Sequence, residues 1–274
     1  MSISEARPVL AGTPTLCIIA MNSLDQGIPP SITPVKYADD LTNSEFLMAS
    51  MPGLMQVALD KVDVWANSFC MSANAKKTKD MVISCRRSPV SPPPLTLNDE
   101  PVERVTSFNL LGIVISNDLT WAPHVEYTLT KVQPRIHYLR IARRAALPTD
   151  VLVQIYKSFI RPVLEYGSPL WTGLPRCLSD DLERIQKMCL RICGVPDHLP
   201  ALESRRRDAS GRELQRILRD PSHPCNVFLP PREKPDYNLR NRETRHMYKL
   251  PLSRTKRHSD SFVMRTLRDL QNLV

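Results

Sequence analysis

Apolar residues alternate with polar ones in some stretches of the chain and return every three or four positions in others, and the change of period divides the sequence. From Ile32 to Phe46, ITPVKYADDLTNSEF reads as a strand, a tight acidic turn and a second strand, because Asp and Asn tolerate turn geometry and the first arm is rich in β-formers. Between Met51 and Met71, Leu54, Val57, Ala58, Val62, Trp65 and Phe69 fall at spacings of three and four, the mark of an amphipathic helix with Pro52 near its start. After the basic AKKTK come MVIS (Met81 to Ser84), a proline-rich SPVSPPP, then LTLN, VERVTSF and LLGIVIS, short β-like segments separated by turn residues. Before all of these, TLCIIAMNSL (Thr15 to Leu24) is apolar enough for a buried strand or helix, with Pro14 ahead of it.

From Trp121 onward the period is helical, with Val125, Leu129, Val132, Ile136 and Leu139 on one face. A second helix is expected from Thr149, a good N-cap after Pro148, through Leu152, Ile155, Tyr156, Phe159 and Ile160 until Pro162 disturbs it. A third begins at Ser179, with Asp180 and Asp181 favourable to the dipole in its first turn. It presents Leu182, Ile185, Met188, Cys189 and Ile192, and stops at Gly194 and Pro196. Beyond Asp197 no periodicity is sustained: ESRRRD, PPREKPDYNLRNRETR and LSRTKRH are basic, interrupted by proline and poor in large apolar residues, with room for a short closing helix from Ser261 to Leu273. The pattern predicts an α+β chain in three parts. Residues 1–116 hold a small antiparallel sheet with a helix, 117–197 a helical subdomain, and 198–274 an irregular basic tail.

Composition changes this picture in two ways. The 25 prolines against 8 glycines explain why the elements are short, since proline fixes φ and interrupts helix and strand alike. The net charge of +9 favours polyanionic partners, and it is unevenly placed: residues 201–274 carry 17 Lys and Arg against 9 Asp and Glu, which is +8 of the +9. The seven cysteines are scattered without a C-x-x-C, so neither a disulfide framework nor a zinc knuckle is suggested and no disulfide partner is expected. Cys189, Cys193 and His198 have the nearest spacing to a metal set, but two cysteines four apart in a helical pattern more simply pack as small apolar residues. No apolar run is long enough for a membrane span and the start is not signal-like, so a soluble, intracellular protein is expected.

The sharpest local feature is Tyr37-Ala38-Asp39-Asp40 at the turn of the expected hairpin. Adjacent carboxylates at a tight turn repel one another unless a cation sits between them or they stay solvated, which makes them a candidate Mg²⁺ site. Alone the pair is weak, since Asp180-Asp181 in the same chain reads as an ordinary helix start.

The flanking residues are more specific. KYADDLT (Lys36 to Thr42) resembles the (Y/F)-x-D-D catalytic hairpin of reverse transcriptases, in the form found in eukaryotic LINE-type, non-LTR retrotransposons. GTPTLCIIAMNSL resembles the segment before that hairpin. WANSFCMSANAKKTKDMVIS is similar to the helix, N-x-x-K-T element and strand after it, matching at Trp65, Asn74, Lys77 and Thr78. VERVTSFNLLGIVISNDLTWAPHV resembles the L-G element that supports the primer end, with Leu111 and Gly112 at its centre and Trp121 and His124 in a W-x-x-H run. LPTDVLVQIYKSFIRPVLEYGSPLW and LSDDLERIQKMCLRIC resemble the helical thumb, and YNLRNRETR and SRTKRHSDSF the ending of such reading frames.

The resemblance implies a partial reverse-transcriptase palm over 1–116, a thumb-like 117–197, and RNA-directed DNA synthesis with Mg²⁺ on an RNA template and a DNA primer. Asp39 and Asp40 would be the second and third catalytic carboxylates and the metal ligands, and Tyr37 would lie near the incoming nucleotide and primer terminus. Lys77 would neutralise or protonate the leaving pyrophosphate; its other reading is a solvated lysine. Gly112 would allow close backbone approach to the primer, or serve as a plain bulge glycine. The family's first catalytic Asp, in an F-D-x-x-x-A-F-D-like segment, and its template-holding fingers are not found, and the Q-G motif is reduced to ARPVLAGT. A chain inactive alone is therefore expected. The alternative from another class is a non-catalytic nucleic-acid-binding module using the thumb helices and the basic tail, with Tyr237 and Tyr248 available for stacking.

Overall fold

The acidic hairpin forms as β1 (Ile32–Tyr37) and β2 (Asp40–Glu45), antiparallel, with Ile32 opposite Glu45 and Tyr37 opposite Asp40. It belongs to a computed structural model that describes residues 20–24, 27–47, 53–84, 92–196, 199–232 and 248–272. The period of two places Ile32 inward and Thr33, Val35 and Tyr37 outward along β1, while Leu41 on β2 is fully buried. Helix α1 (Met55–Ser68) supplies the surface beneath, burying Ala58, Leu59, Val62 and Ala66 along one stripe. Pro52 lies outside the described residues, as does Thr15–Ile19 of the apolar opening segment. The remainder of that segment is a helical turn at residues 20–22, whose Met21 joins Leu24, Leu41 and Val62 in one apolar cluster with Trp65. Two polar ties fix it: Trp65 Nε1 donates to Ser23 Oγ at 3.0 Å, and Lys36 Nζ donates to the Met21 carbonyl at 3.0 Å.

Leu59 of α1 joins a second cluster, with Ala73, Ala75, Leu97 and Val102 and the half-buried Leu95. Around it the β-like segments form separate two-stranded ladders rather than one antiparallel sheet: β3 (Lys79–Asp80) pairs in parallel with β6 (Glu103–Arg104), and β4 (Thr96–Leu97) pairs antiparallel with β5 (Glu100–Pro101). Pairing occurs just before MVIS, which itself carries no strand, because side chains clamp the earlier position. Lys79 meets Glu103 at 2.5 Å and Arg104 meets Asp80 at 2.7 Å. Arg104 also donates to the carbonyls of Pro92 and Pro93, the described end of the proline-rich loop. The residues from Cys85 to Ser91 lie outside the described set.

β7 (Ser107–Leu110) and β8 (Ile113–Ser116) form a hairpin in which the division of the chain falls. Residues 1–110 and 115–118 make one compact unit, and residues 111–114 and 119–274 the other. In the second unit, α2 (Ala122–Arg144) buries His124, Val125, Thr128, Val132, Ile136 and Leu139, which is the expected face with Thr128 in place of Leu129. The expected second helix is three pieces: α3 (Thr149–Ile155), a π-helical turn (Tyr156–Ile160) and α4 (Arg161–Leu164). Pro162 explains the π turn, since a proline lacks the N–H and its ring collides with the carbonyl four residues back; the wider turn relieves both. Thr149 is the first helical residue rather than a cap; Pro148 occupies the cap position with no side-chain hydrogen bond. Likewise α5 (Arg176–Cys193) starts three residues earlier than Ser179, and Gly194 ends it in the left-handed conformation at φ 85°. α2 packs on α5, and Tyr156 from the π turn joins them: its hydroxyl donates to Gln186 Oε1 at 2.7 Å, and Gln186 Nε2 donates to the Pro200 carbonyl at 3.0 Å.

The expectation of an irregular basic tail is corrected. Helix α6 (Leu202–Arg219) is followed by a 3₁₀ turn (Pro224–Phe228), α7 (Lys256–Ser259) and the closing α8 (Phe262–Asn272). The buried face of α6 is Leu202, Arg206, Ser210, Leu214 and Ile217. Two of its five positions are polar, and that interruption conceals the period from a reading of apolar spacing. Leu214, Tyr248 and Leu267 form a core with Leu218, Leu229, Leu250, Phe262, Val263 and Leu270 around it. Part of the positive charge is structural: Arg205 makes a bidentate pair with Glu165, and Arg206 is 1% exposed. Tyr237 lies outside the described residues.

Candidate functional site: the acidic hairpin and the leucine–glycine turn

The β1–β2 register leaves a two-residue turn, Ala38–Asp39, between Tyr37 and Asp40. Ala38 takes φ 52°, a left-handed conformation that costs an L-residue roughly 1–2 kcal/mol and that alanine offsets with no side-chain hydrogen bond. Tyr37 is 65% exposed, Asp39 is exposed, and Asp40 is half-buried. The turn thus brings together three of the residues expected at the site. Among the described residues neither carboxylate is paired with a cation, and no group of three or more His, Cys, Asp or Glu side chains converges there or elsewhere. The two carboxylates fit Mg²⁺ in kind, being adjacent hard oxygen donors, one exposed and one half-buried, at a strained turn. They supply only part of a coordination shell, the rest of which would come from water, phosphate oxygens or a further carboxylate.

Lys77 lies in the same unit, on the loop after α1. Its backbone N–H donates to Asn74 Oδ1 at 3.0 Å, while the N–H and hydroxyl of Thr78 both donate to the Asn74 carbonyl at 2.9 and 2.8 Å. N-x-x-K-T is therefore a closed turn in which Asn74 organises the backbone, Thr78 is buried and the Lys77 side chain is exposed.

Gly112 belongs to the second unit. Leu111 and Gly112 form the two-residue turn of the β7–β8 hairpin with φ 50° and 84°. Left-handed geometry at both positions is the hairpin turn that usually takes Asn or Asp first, as at Asn98–Asp99 between β4 and β5 (φ 53° and 59°). A leucine in the first place is the exception. The space over Gly112 is filled by the Tyr166 ring, whose Cε1 would lie 3.0 Å from a Cβ at that position. Sequence reasoning passed over Tyr166; the signal available was its place in LEYGSPLW, ahead of Gly167, which takes φ 62°.

Behind the turn, His124 is 2% exposed, and its Nδ1 accepts from the Val114 N–H at 3.3 Å. Its ring meets Trp121 and Trp171 edge-on at 6.2 and 5.4 Å, and burial pushes its pKa below the usual histidine range. The W-x-x-H pair is thus a packing element that ties β8 to the start of α2. Cys189 and Cys193 are fully buried on α5, and burial raises both thiols, Cys189 to about 12; they pack as apolar residues and lack thiolate character. His198 lies outside the described residues, as do Cys17 and Cys85; Cys70, Cys177 and Cys225 are free thiols. Among the described residues no helix is long and apolar enough to cross a membrane.

No protein-family model matches the chain, and no solved structure does. Curated relatives do. The chain is 29% identical over 214 residues to the RNA-directed DNA polymerase from mobile element jockey of Drosophila melanogaster, covering 70% of this chain and 23% of that protein. It is 27% identical over 124 residues to the probable RNA-directed DNA polymerase from transposon X-element of the same fly, covering 44% and 13%. With the corresponding protein from transposon BS it is 22% identical over 190 residues, covering 67% and 21%. The chain spans about a quarter or less of these relatives' length. Its curated homologues are RNA-directed DNA polymerases of non-LTR retrotransposons.

Proposed function

We propose that this chain is the part of a retrotransposon reverse transcriptase that carries two of its catalytic carboxylates, its primer-supporting turn and its thumb, and that it does not synthesise DNA by itself. The observation that carries the reading is the hairpin: Asp39, exposed on a strained two-residue turn, and Asp40, half-buried at the start of β2 opposite Tyr37, stand side by side in a chain whose relatives are RNA-directed DNA polymerases. Asp39 and Asp40 would hold Mg²⁺, with Asp39 the more exposed ligand. The metal's contribution there is to stabilise the charge that develops on the transferred phosphate. Tyr37, presented on the same face, would contact the nucleotide or the primer terminus, and Lys77 would meet the pyrophosphate. RNA template and DNA primer are the partners this reading assigns. The proposal of incompetence is supported by the donor set among the described residues, since two-metal transfer needs more acidic ligand than one adjacent pair provides.

A second reading, a nucleic-acid-binding module without catalysis, has its own observation. On the outer side of α2, Lys131 lies 4.5 Å over the Tyr127 ring and Arg135 lies 4.8 Å over Phe159, which in turn faces the 60%-exposed Tyr138. Cations interleaved with aromatic rings suit a phosphate backbone and stacked bases.

One experiment tests both. The purified chain is given a primed RNA template with Mg²⁺, and extension and binding are followed across a salt series. No extension, with binding that weakens steeply as salt rises, is the expected result. Template-dependent synthesis abolished by Asp39→Ala would overturn the claim of incompetence, and absence of binding at low salt would remove the nucleic-acid readings altogether.

A further inference from the structure

The Leu111–Gly112 turn departs from the usual residue choice, and a residue distant in the sequence is bonded to it. The ordinary hairpin in this chain, Asn98–Asp99, has short polar residues that tolerate left-handed backbone; Leu111 at φ 50° has no such side chain. What holds it is visible. The Tyr166 hydroxyl donates to the Leu111 carbonyl at 2.9 Å, and the same ring lies against Gly112, with Cε1, Cζ and Oη at 3.0, 3.6 and 3.6 Å from the position of an added Cβ.

Tyr166 is itself anchored. Its carbonyl accepts from Trp171 Nε1 at 2.9 Å, and Trp171 is 1% exposed, between the His124 ring at 5.4 Å and the Arg206 guanidinium at 5.4 Å. Gly167 leaves room for Ile113, the residue after the turn: a Cβ at Gly167 would meet Ile113 Cδ1 at 2.6 Å. Both sides of the turn are therefore fixed from one segment, Tyr166–Trp171, that is buried at its far end and open at the near one, where Leu111 and Tyr166 are 43% and 54% exposed.

We propose that Tyr166 is a positioning residue for the primer-supporting turn, holding Leu111 and Gly112 in the left-handed form in which the turn meets a primer 3′ end. The role of the turn rests on the function proposed above; the lock itself does not. Tyr166→Phe keeps the ring over Gly112 and removes the hydrogen bond to Leu111, so the variant folds and isolates the hydroxyl.

The test has two arms on the full chain. Hydrogen exchange of the amides of residues 111–114 should rise about tenfold in Tyr166→Phe while those of α2 and α5 keep their protection. Fluorescence anisotropy compares a duplex with a recessed primer 3′ end against a blunt duplex of equal length. The wild-type chain should prefer the recessed end and Tyr166→Phe should lose that preference by about threefold or more, with blunt-duplex affinity unchanged, a change of selectivity that general destabilisation does not produce. Unchanged exchange in Tyr166→Phe overturns the lock. Raised exchange with the recessed-end preference intact overturns the link between Tyr166 and the primer. A wild-type chain without any recessed-end preference overturns the assignment of the turn to the primer, leaving exchange to decide the lock.

Discussion

Among the described residues around α1, two groups of four and five buried residues form apolar clusters in the first unit, and they are joined to strands of two to six residues paired in twos. Val35, Tyr37, Phe46, Val64 and Phe69 remain outside them, Phe46 at 94% exposure. In the second unit, large side chains are buried to nothing both on helices of 18 to 23 residues, among them Val132, Leu139 and Leu182, and on the three short helical pieces between Thr149 and Leu164, among them Leu152, Tyr156, Ile160 and Leu164. The difference matters for function. Among the described residues, the unit with the acidic turn carries a strained turn with an exposed Asp39 and a half-buried Asp40 over small apolar clusters, whereas the unit with the leucine–glycine turn has a deep core that can hold a strained backbone in place.

If that contrast is right, the largest effect belongs to the deep core. Leu139→Ala should cost about 2–5 kcal/mol in the unfolding transition of the helical unit, by lost transfer energy and a cavity that long helices cannot collapse around. Leu41→Ala in the hairpin cluster should fall at or below the lower end of that range, and equal losses in denaturant titrations would erase the contrast.

Next comes the buried hydrogen-bond chain. Tyr156→Phe leaves Gln186 Oε1 without its donor inside the helical unit and should cost about 1–3 kcal/mol. Burial raises the Tyr156 pKa well above the usual tyrosine range, so the loss should be the same from pH 6 to 9; a pH-dependent difference in that interval would mean that the hydroxyl ionises and the site is wetter than described.

The smallest effect sharpens the comparison from the other side. Arg206 is buried with one hydrogen bond, Nη2 to Ser179 Oγ at 2.6 Å, while its Nε and Nη1 find no partner among the described residues and burial draws its pKa below the usual arginine range. A buried charge so poorly satisfied contributes little net stability, so Arg206→Met should change the melting free energy by less than about 1 kcal/mol. A loss of several kcal/mol would show that the guanidinium, through its stacking on Trp171, is a principal support of the helical unit.

Several elements were legible in the sequence for plain reasons. The hairpin, α1 and α2 have apolar residues at regular spacings, and Gly194 ends α5 because few other residues adopt the conformation required there. Others were not. The cap positions at Thr149 and Ser179 were misplaced because prolines start both helices, and Ser179 is turned inward to Arg206. Helix α6 was missed because an arginine and a serine sit where apolar residues would have marked its face.

The candidate site divides in the same way. The order of motifs along the chain carries the resemblance to reverse transcriptases, and relatives of that kind are found; the roles of Tyr37, Asp39, Asp40, Lys77 and Gly112 are proposals that rest on it. Local chemistry also dictates the acidic turn, since adjacent Asp residues at a two-residue turn must face solvent or a cation. Tertiary structure alone shows what stands against the left-handed Leu111, because the hydroxyl that donates to its carbonyl comes from Tyr166, 55 residues away. It also decided which arginines of the C-terminal segment are surface charge and which are internal. A sequence gives the sign of a side chain, but only the fold shows whether Glu165 or water stands opposite it.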